Sequence, residues 1–220
     1  KSSGTLVLNS NVSIINGDIR LVQGTFDVQT NSFNRSNPGG TFTVSDDASL
    51  IIGGTNSFPS NYGTISLSSG STITYNGDIQ SVKDLSYGNL SLRGTGNKST
   101  VGDLNIAGNF SVASISFTSN TIVSFTGATV LSGDGVFNFH TIQIGGILND
   151  SGKILYVSGD WTNSGYFINS GKTDFNGINQ NISNSSFHNI AFSSAGIKTL
   201  SDSIIISGNW TNSATVVPAT

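Results

Sequence analysis

Apolar residues alternate with Ser, Thr, Asn or Gly along most of the 220-residue chain. This period of two points one set of side chains to an interior and the other to water, as in half-buried β-strands. No stretch combines the i, i+3, i+4, i+7 spacing of an amphipathic helix with capping residues at its ends. The pattern therefore predicts an all-β fold. The clearest alternating pairs are Leu6 with Leu8, Phe26 with Val28, Phe42 with Val44, Leu50 with Ile52, Ile65 with Leu67, and Phe137 with Phe139.

Three short motifs recur about 50 residues apart, a period typical of stacked repeats. The first is an aromatic residue, then Asn or Thr, then Gly, and its glycines are Gly77, Gly127 and Gly177. The second is a pair of apolar residues two apart. The third is an alternating strand followed by Gly, Asn or Asp, and an aromatic residue. Its three corners are Gly108-Asn109, Gly159-Asp160 and Gly208-Asn209.

The close spacing of these motifs along the chain predicts a parallel β-helix (β-solenoid) with a super-repeat of about 50 residues. We expect about three coils of roughly 17 residues per repeat, with two coils as the alternative, and right-handed crossovers. The three corners would then lie along one edge, three coils apart, with glycines chosen for positive φ. Residues 1–220 are interpreted as one solenoid segment of a longer chain, with degenerate repeats over 1–71 and clearer ones over 72–120, 121–170 and 171–220.

Composition narrows the function classes. Charged residues make up 10% of the chain, the net charge is −3, and there is no cysteine or methionine. Disulfides and thiolate metal sites are therefore excluded, and no basic stripe is present to neutralise nucleic-acid phosphates. No apolar run reaches the roughly 20 residues that span a bilayer. We predict no cofactor, no nucleic-acid partner and no membrane insertion by this segment.

The stretches around the second and third corners resemble the repeats of large surface proteins of Bacteroidota. They are residues 159–165 and 208–212, together with Phe175-Asn176-Gly177 and His188-Asn189-Ile190. The resemblance covers residues 72–216 well and 4–71 more loosely. It implies a secreted, adhesin-like protein exported by the type IX pathway and held at the bacterial cell surface. Its partners would be surface polysaccharide or another cell-surface component, and secretion or anchoring proteins.

Four candidate side chains stand out. His140 and His188 occupy the same repeat position, but residues three coils apart would be roughly 14 Å from each other, too far to share one metal ion. Trp161 and Trp210 are candidates for stacking on a sugar ring. Because Phe110 and Ile19 fill the same repeat position, a volume-filling place in the core is the favoured interpretation.

The acidic residues raise the alternative of a β-helical polysaccharide lyase or hydrolase. They are Asp46, Asp47, Asp78, Asp84 and Asp103. Their spacing matches neither a calcium-binding loop nor a closely paired acid and base, so solvated corners are the favoured interpretation. We therefore predict a non-catalytic stalk or attachment segment, and not an enzyme. A string of small β-sandwiches is a third possibility, which the tight motif spacing disfavours.

Overall fold

The protein is a three-sided parallel β-solenoid. A computed structural model describes residues 4–219 and has strands but no helix in that range. Every strand pairing is parallel, and the chain makes about 11 turns with a spacing of about 19 residues. This confirms the predicted fold class, with coils that are longer and fewer than expected. None of these residues forms a helix long and apolar enough to cross a membrane.

The first face is one sheet that runs through most of the molecule. Its path, in order, is β1 (Thr5–Val7), β3 (Ile19–Asp27), β5 (Gly39–Ile52), β7 (Thr72–Tyr75), β10 (Asn89–Leu92), β13 (Phe110–Val112), β16 (Ala128–Ser132), β19 (Ile147–Asn149) and β22 (Tyr166–Ile168).

The second face is an eight-stranded sheet. It comprises β8 (Gln80–Val82), β11 (Lys98–Thr100), β14 (Ser116–Thr118), β17 (Val136–Phe139), β20 (Ile154–Val157), β23 (Lys172–Phe175), β25 (Asn189–Phe192) and β27 (Trp210–Asn212). A separate parallel pair, β2 (Val12–Ile14) with β4 (Phe33–Arg35), precedes it along the chain.

The third face is also an eight-stranded sheet. It comprises β9 (Ser86–Tyr87), β12 (Leu104–Ile106), β15 (Ile122–Phe125), β18 (Thr141–Ile144), β21 (Trp161–Asn163), β24 (Gln180–Phe187), β26 (Ile197–Ile206) and β28 (Thr215–Pro218). One further strand, β6 (Tyr62–Leu67), pairs with the first half of β5.

The inward residues of all three faces form a single core. Phe42, Leu104, Phe125 and Val157 are among those with no exposed surface, and each belongs to an alternating pattern visible in the sequence. Aromatic rings interlock across the core, as where Phe110 on the first face meets Phe117 on the second edge-on with ring centroids 5.1 Å apart. Burial of this apolar surface, with the ladder hydrogen bonds, holds a chain that has no disulfide.

The sequence period does not equal a whole number of turns. Gly77 follows a strand of the first face, Gly127 a strand of the third and Gly177 a strand of the second. Three turns of about 19 residues are longer than the sequence period of about 50 residues, and the difference is about the length of one strand and its corner. Each copy of the motif therefore lies on the face that comes just before the face of the previous copy in the order first, second, third. The expectation that equivalent corners share one edge, three coils apart, is therefore wrong.

The three corner glycines are required for close approach between turns and not for positive φ. None of Gly108, Gly159 and Gly208 has φ in the left-handed region. A Cβ at Gly108 would lie 2.7 Å from the carbonyl oxygen of Gly88 in the preceding turn, and one at Gly208 would lie 2.6 Å from that of His188. Each glycine amide donates to the turn below, which draws the two backbones together.

The turns differ in length, and one boundary is abrupt. Leu50 pairs with Phe26 one turn before it and with Ile73 one turn after it, so both of these turns are wide. Ile73 in turn pairs with Leu90, which follows it much more closely along the chain. A wide turn therefore lies directly against a narrow one, and the solenoid wall steps inward between β6 and β9.

Candidate functional site

Trp161 belongs to the core. It is 1% exposed and packs against Phe167, Phe175 and Phe187, with ring centroids 4.8, 5.9 and 5.4 Å away. Its indole N–H donates to the Oγ of Ser185 at 2.8 Å. Because no face of the ring is open, Trp161 is not a glycan contact.

Trp210 has a different environment although it occupies the same repeat position. It is 53% exposed, and its ring centroid lies 6.2 Å from that of Phe192. Its strand β27 pairs with β25 alone among the described strands. Among the described residues, the ring of Trp210 is therefore accessible, in contrast to the enclosed ring of Trp161.

The two histidines lie at different corners. His140 connects the second face to the third, whereas His188 connects the third face to the second. The Nδ1 of His140 lies 3.3 Å from the Oγ of Ser158, and that of His188 lies 3.2 Å from the Oγ of Ser207, one turn on in each case. No group of three His, Cys, Asp or Glu side chains within residues 4–219 is arranged to hold a metal ion.

Carboxylates at the corners accept hydrogen bonds from the backbone of the following turn. The amide of Gly70 donates to Asp46 at 2.9 Å and that of Ile122 to Asp103 at 3.0 Å. Asp160, one of the predicted corner residues, accepts from the amide of Asn181 at 2.8 Å. These side chains satisfy backbone donors that a sharp bend removes from the ladder.

The backbone amides of the predicted corner asparagines donate to side chains in a similar way. The amide of Asn109 donates to the Oδ1 of Asn89, and that of Asn209 to the Oδ1 of Asn189, both at 2.9 Å. The sequence motif pointed to the correct corners. It missed Asn89 and Asn189 as the acceptors, because only the length of the turn brings each of them against its partner.

The step in the solenoid wall forms a surface recess at which two of the candidate acids meet. We call it the ledge and define it as residues 55–67 on the wide turn, residues 79–86 on the narrow turn, and Val101, Asp103 and Asn105 beyond them. Its second-face part encloses about 530 Å³, between the loop before β6 and the strand β8. Its third-face part encloses about 470 Å³, between β6 and β12.

Three strand edges at the ledge have no partner among the described strands. β6 pairs with β5 only, β8 with β11 only and β9 with β12 only. As a result, the inward side chains Ile65 and Leu67 of β6 are half-buried, whereas their partners Phe42 and Val44 on β5 are fully buried. The ledge thus interrupts the stacking on two of the three faces.

The ledge is lined by both apolar and polar side chains and includes a small charged group. Ile79 and Val101 are 70% and 62% exposed. Asp84 and Asp103 line its third-face part, and the Nζ of Lys83 lies 3.7 Å from Asp84. Of the five acids considered as a catalytic set, Asp84 and Asp103 line the same recess, and Asp103 also caps Ile122.

Tyr62 lies on the wide side of the ledge. Its hydroxyl is buried without a hydrogen-bond partner, and the guanidinium of Arg35 lies 5.9 Å from its ring centroid. Burial raises the pKa of Tyr62, and the positive charge of Arg35 lowers it by less.

Two buried lysines were missed by the sequence reasoning. The Nζ of Lys98, a fully buried side chain, donates to the carbonyl oxygens of Gly77, Asp78 and Gly96 at 3.1, 2.7 and 2.6 Å. Burial lowers its pKa, an effect that the charge of Asp78 partly offsets.

Lys198 repeats this arrangement further along the chain. It donates to the carbonyl oxygens of Gly177 and Ile178 and, at 2.7 Å, to the Oε1 of Gln180. Gln80 and Gln180 likewise accept from the amides of Gly77 and Gly177. The available signal was the recurrence of Gly-x-x-Gln followed by a lysine one turn later.

Below the ledge, two buried tyrosines support its floor. The hydroxyl groups of Tyr75 and Tyr87 lie 3.2 Å apart. Tyr75 accepts from the amide of Lys83, and Tyr87 donates to the carbonyl oxygen of Lys83. Burial raises the pKa of Tyr75 to about 12 and that of Tyr87 well above 10. Both therefore stay protonated at neutral pH and fix the backbone next to Asp84.

Comparisons of this chain with protein-family models, with curated proteins and with solved structures returned no match, so its own geometry carries the functional argument.

Proposed function

We propose that the chain is a non-catalytic structural and adhesive segment of a secreted bacterial surface protein, acting as a stiff spacer that presents weak binding surfaces. The observation that carries this proposal is the first-face ladder, which runs from β1 to β22 without a missing strand. Such a ladder, backed by a continuous core, resists bending and extension because each turn is bonded to the next.

Two features of the surface support the adhesive part of the proposal. Outward positions are mostly Ser, Thr and Asn, which offer many weak hydrogen bonds to polysaccharide, and multivalency would raise the overall affinity. The exposed ring of Trp210 adds a flat apolar surface of the kind on which a sugar ring stacks.

Force spectroscopy tests the spacer role. The chain would be pulled from its two ends between rigid handles. We expect stepwise extension in units of one turn, each about 19 residues and roughly 65 Å of extended chain. A single low-force extension of the whole chain would contradict a stiff spacer.

The ledge favours one alternative, a polysaccharide-active enzyme, because Asp84 and Asp103 meet in a recess that interrupts the repeats. Incubation with a panel of acidic and neutral polysaccharides, followed by chromatography of the products, distinguishes the two. Release of a defined oligosaccharide that is lost in Asp84→Asn would replace the spacer proposal. Binding without product would support it.

A further inference from the structure

The free edge of β6 exposes backbone groups to the ledge. In a parallel ladder, alternate residues direct both their N–H and C=O to the same neighbour. The amide of Ser68 donates to the carbonyl oxygen of Val44 on β5, so the alternation assigns Ser66 to β5 as well. The N–H and C=O groups of Ile65 and Leu67 therefore point into the ledge.

Apolar side chains continue this edge across the recess. Ile65, Leu67 and Leu85 are half-buried where one more strand would cover them. Ile79 and Val101 are mostly exposed on the second-face side. Exposed apolar residues next to an unpaired strand edge are the usual components of a strand-addition site.

The charge of the recess is negative on its third-face side. Asp84 has 56% of its side chain exposed, and Asp103 lies one turn further on. Lys83 is the cation near them, 3.7 Å from Asp84. A ligand with a Lys or Arg side chain directed outward is therefore favoured over an acidic one.

We propose that the ledge binds an extended segment of a partner polypeptide, which pairs with the free edge of β6. The segment has about six residues, matching the length of β6, with alternate apolar side chains over Ile65 and Leu67 and a Lys or Arg near Asp84. Such binding is independent of whether the solenoid acts as a surface spacer.

A polypeptide fits this edge better than a polysaccharide. The backbone groups of Ile65 and Leu67 present a donor and an acceptor at each alternate residue, roughly 6.6 Å apart along the strand. An extended peptide offers complementary groups at the same spacing. The hydroxyl groups of a polysaccharide repeat with its sugar units and do not supply one N–H donor and one C=O acceptor at each step, and the half-buried Ile65 and Leu67 side chains favour an apolar partner.

A peptide library tests the proposal directly. The probes are soluble octapeptides in which Ile, Val or Leu alternates with Thr, Lys or Arg, titrated into the full chain by calorimetry and by methyl NMR. We expect members with dissociation constants below about 1 mM and shifts confined to Ile65, Leu67, Ile79, Leu85 and Val101. No binding by any member up to about 1 mM would overturn the proposal.

The matched control is the best-binding peptide with N-methyl groups on the residues that donate to β6. It keeps every side chain but loses the backbone donors, so we expect at least about tenfold weaker binding. Equal affinity would show side-chain binding without strand pairing and overturn the assignment. A linear oligosaccharide that displaces the peptide from the same methyl groups, or self-association of the chain through them, would also overturn it.

Two variants test the protein side. Ile65→Pro removes an N–H that faces the ledge and leaves the β5–β6 ladder intact, since proline is tolerated at an edge strand. Ile65→Val is its control and should bind normally. If Ile65→Pro fails to fold by circular dichroism, Asp84→Asn serves instead, with several-fold weaker binding expected for Lys-containing probes only. Unchanged affinity in a folded Ile65→Pro and in Asp84→Asn would contradict the proposal.

Discussion

Replacement of the buried lysine by methionine is a sharp test of how the corner at Gly77 is stabilised. Lys98→Met keeps most of the side-chain volume and removes the ammonium that serves the carbonyl oxygens of Gly77, Asp78 and Gly96. The oxygen of Gly77 keeps the amide of Thr95 as a donor at 3.0 Å. The variant therefore leaves the carbonyl oxygens of Gly96, a buried residue, and of Asp78, an exposed one, short of a donor.

The expected cost follows from these contacts. A buried acceptor without a donor costs about 1–3 kcal/mol, which applies in full to the oxygen of Gly96, whereas water can reach the part-buried oxygen of Asp78 and reduces its cost to about 1 kcal/mol or less. Part of this cost is offset in Lys98→Met, because the variant no longer has to desolvate an ammonium group on folding. We expect a net loss of about 1–3 kcal/mol in the free energy of unfolding. Lys83→Met is the control, since that side chain is 40% exposed and a change within about 0.5 kcal/mol is expected.

Chemical denaturation combined with amide hydrogen exchange measures the effect. Because solenoids unfold in local units, exchange at β8 and β11 reports the corner itself. Equal protection of these amides in Lys98→Met and the unmodified chain would refute the role given to the ammonium.

The same variant has a pH signature. Burial lowers the pKa of Lys98 in the folded state below its usual 10.5, so the unfolded chain binds more protons in the pH range just below 10.5. The free energy of unfolding should therefore rise with pH through that range. We expect Lys98→Met to show a smaller rise, and an identical slope would contradict the assigned pKa direction.

Three further predictions concern the core and the close contacts. Trp161→Ala should cost about 3–5 kcal/mol and Trp210→Ala less than about 1 kcal/mol in urea unfolding, because only Trp161 is enclosed, and equal costs would contradict the assigned burial. Gly77→Ala should lower the melting temperature far more than Gly145→Ala, since a Cβ at Gly77 lies 1.8 Å from a backbone oxygen and one at Gly145 has 3.9 Å. Similar melting temperatures would refute this contact. The stability that protonated Tyr75 contributes is complete below pH 10 and is lost as the pH rises through about 12; absorbance of tyrosinate from Tyr75 appearing near pH 10, before unfolding, would contradict it.

The alternation of apolar and polar residues was sufficient to predict the strands, and the close spacing of the recurring motifs predicted the parallel solenoid. The alternation is informative because each strand faces the core on one side only. The apolar pairs Leu104 with Ile106 and Phe137 with Phe139 therefore show directly which side chains point inward. The corner glycines were also recognisable, although their reason is the approach of the previous turn and not positive φ.

The number of residues per turn could not be predicted from the motifs. Their period suggested three short turns, but strand pairing sets a longer turn of about 19 residues, and copies of one motif lie on three different faces. The three faces of the solenoid are all parallel sheets that bury one side of each strand, so the same strand and corner motif can occupy any of the three faces. The same motif lies on the third face at Trp161, which has strands on both sides, and on the second face at Trp210, whose described neighbour is β25.

The ledge and the buried lysines depend on contacts between turns, which the alternation within a strand does not record. The ledge exists because a wide turn is followed by a narrow one, and this difference appears only once Leu50, Ile73 and Leu90 are paired. Lys98 looks like a solvent-exposed residue in the sequence, but three carbonyl oxygens surround its ammonium once the turns are stacked. The sequence by itself determined the strands and the core, whereas the tertiary structure decided which residues meet, because the pairing register is a property of whole turns.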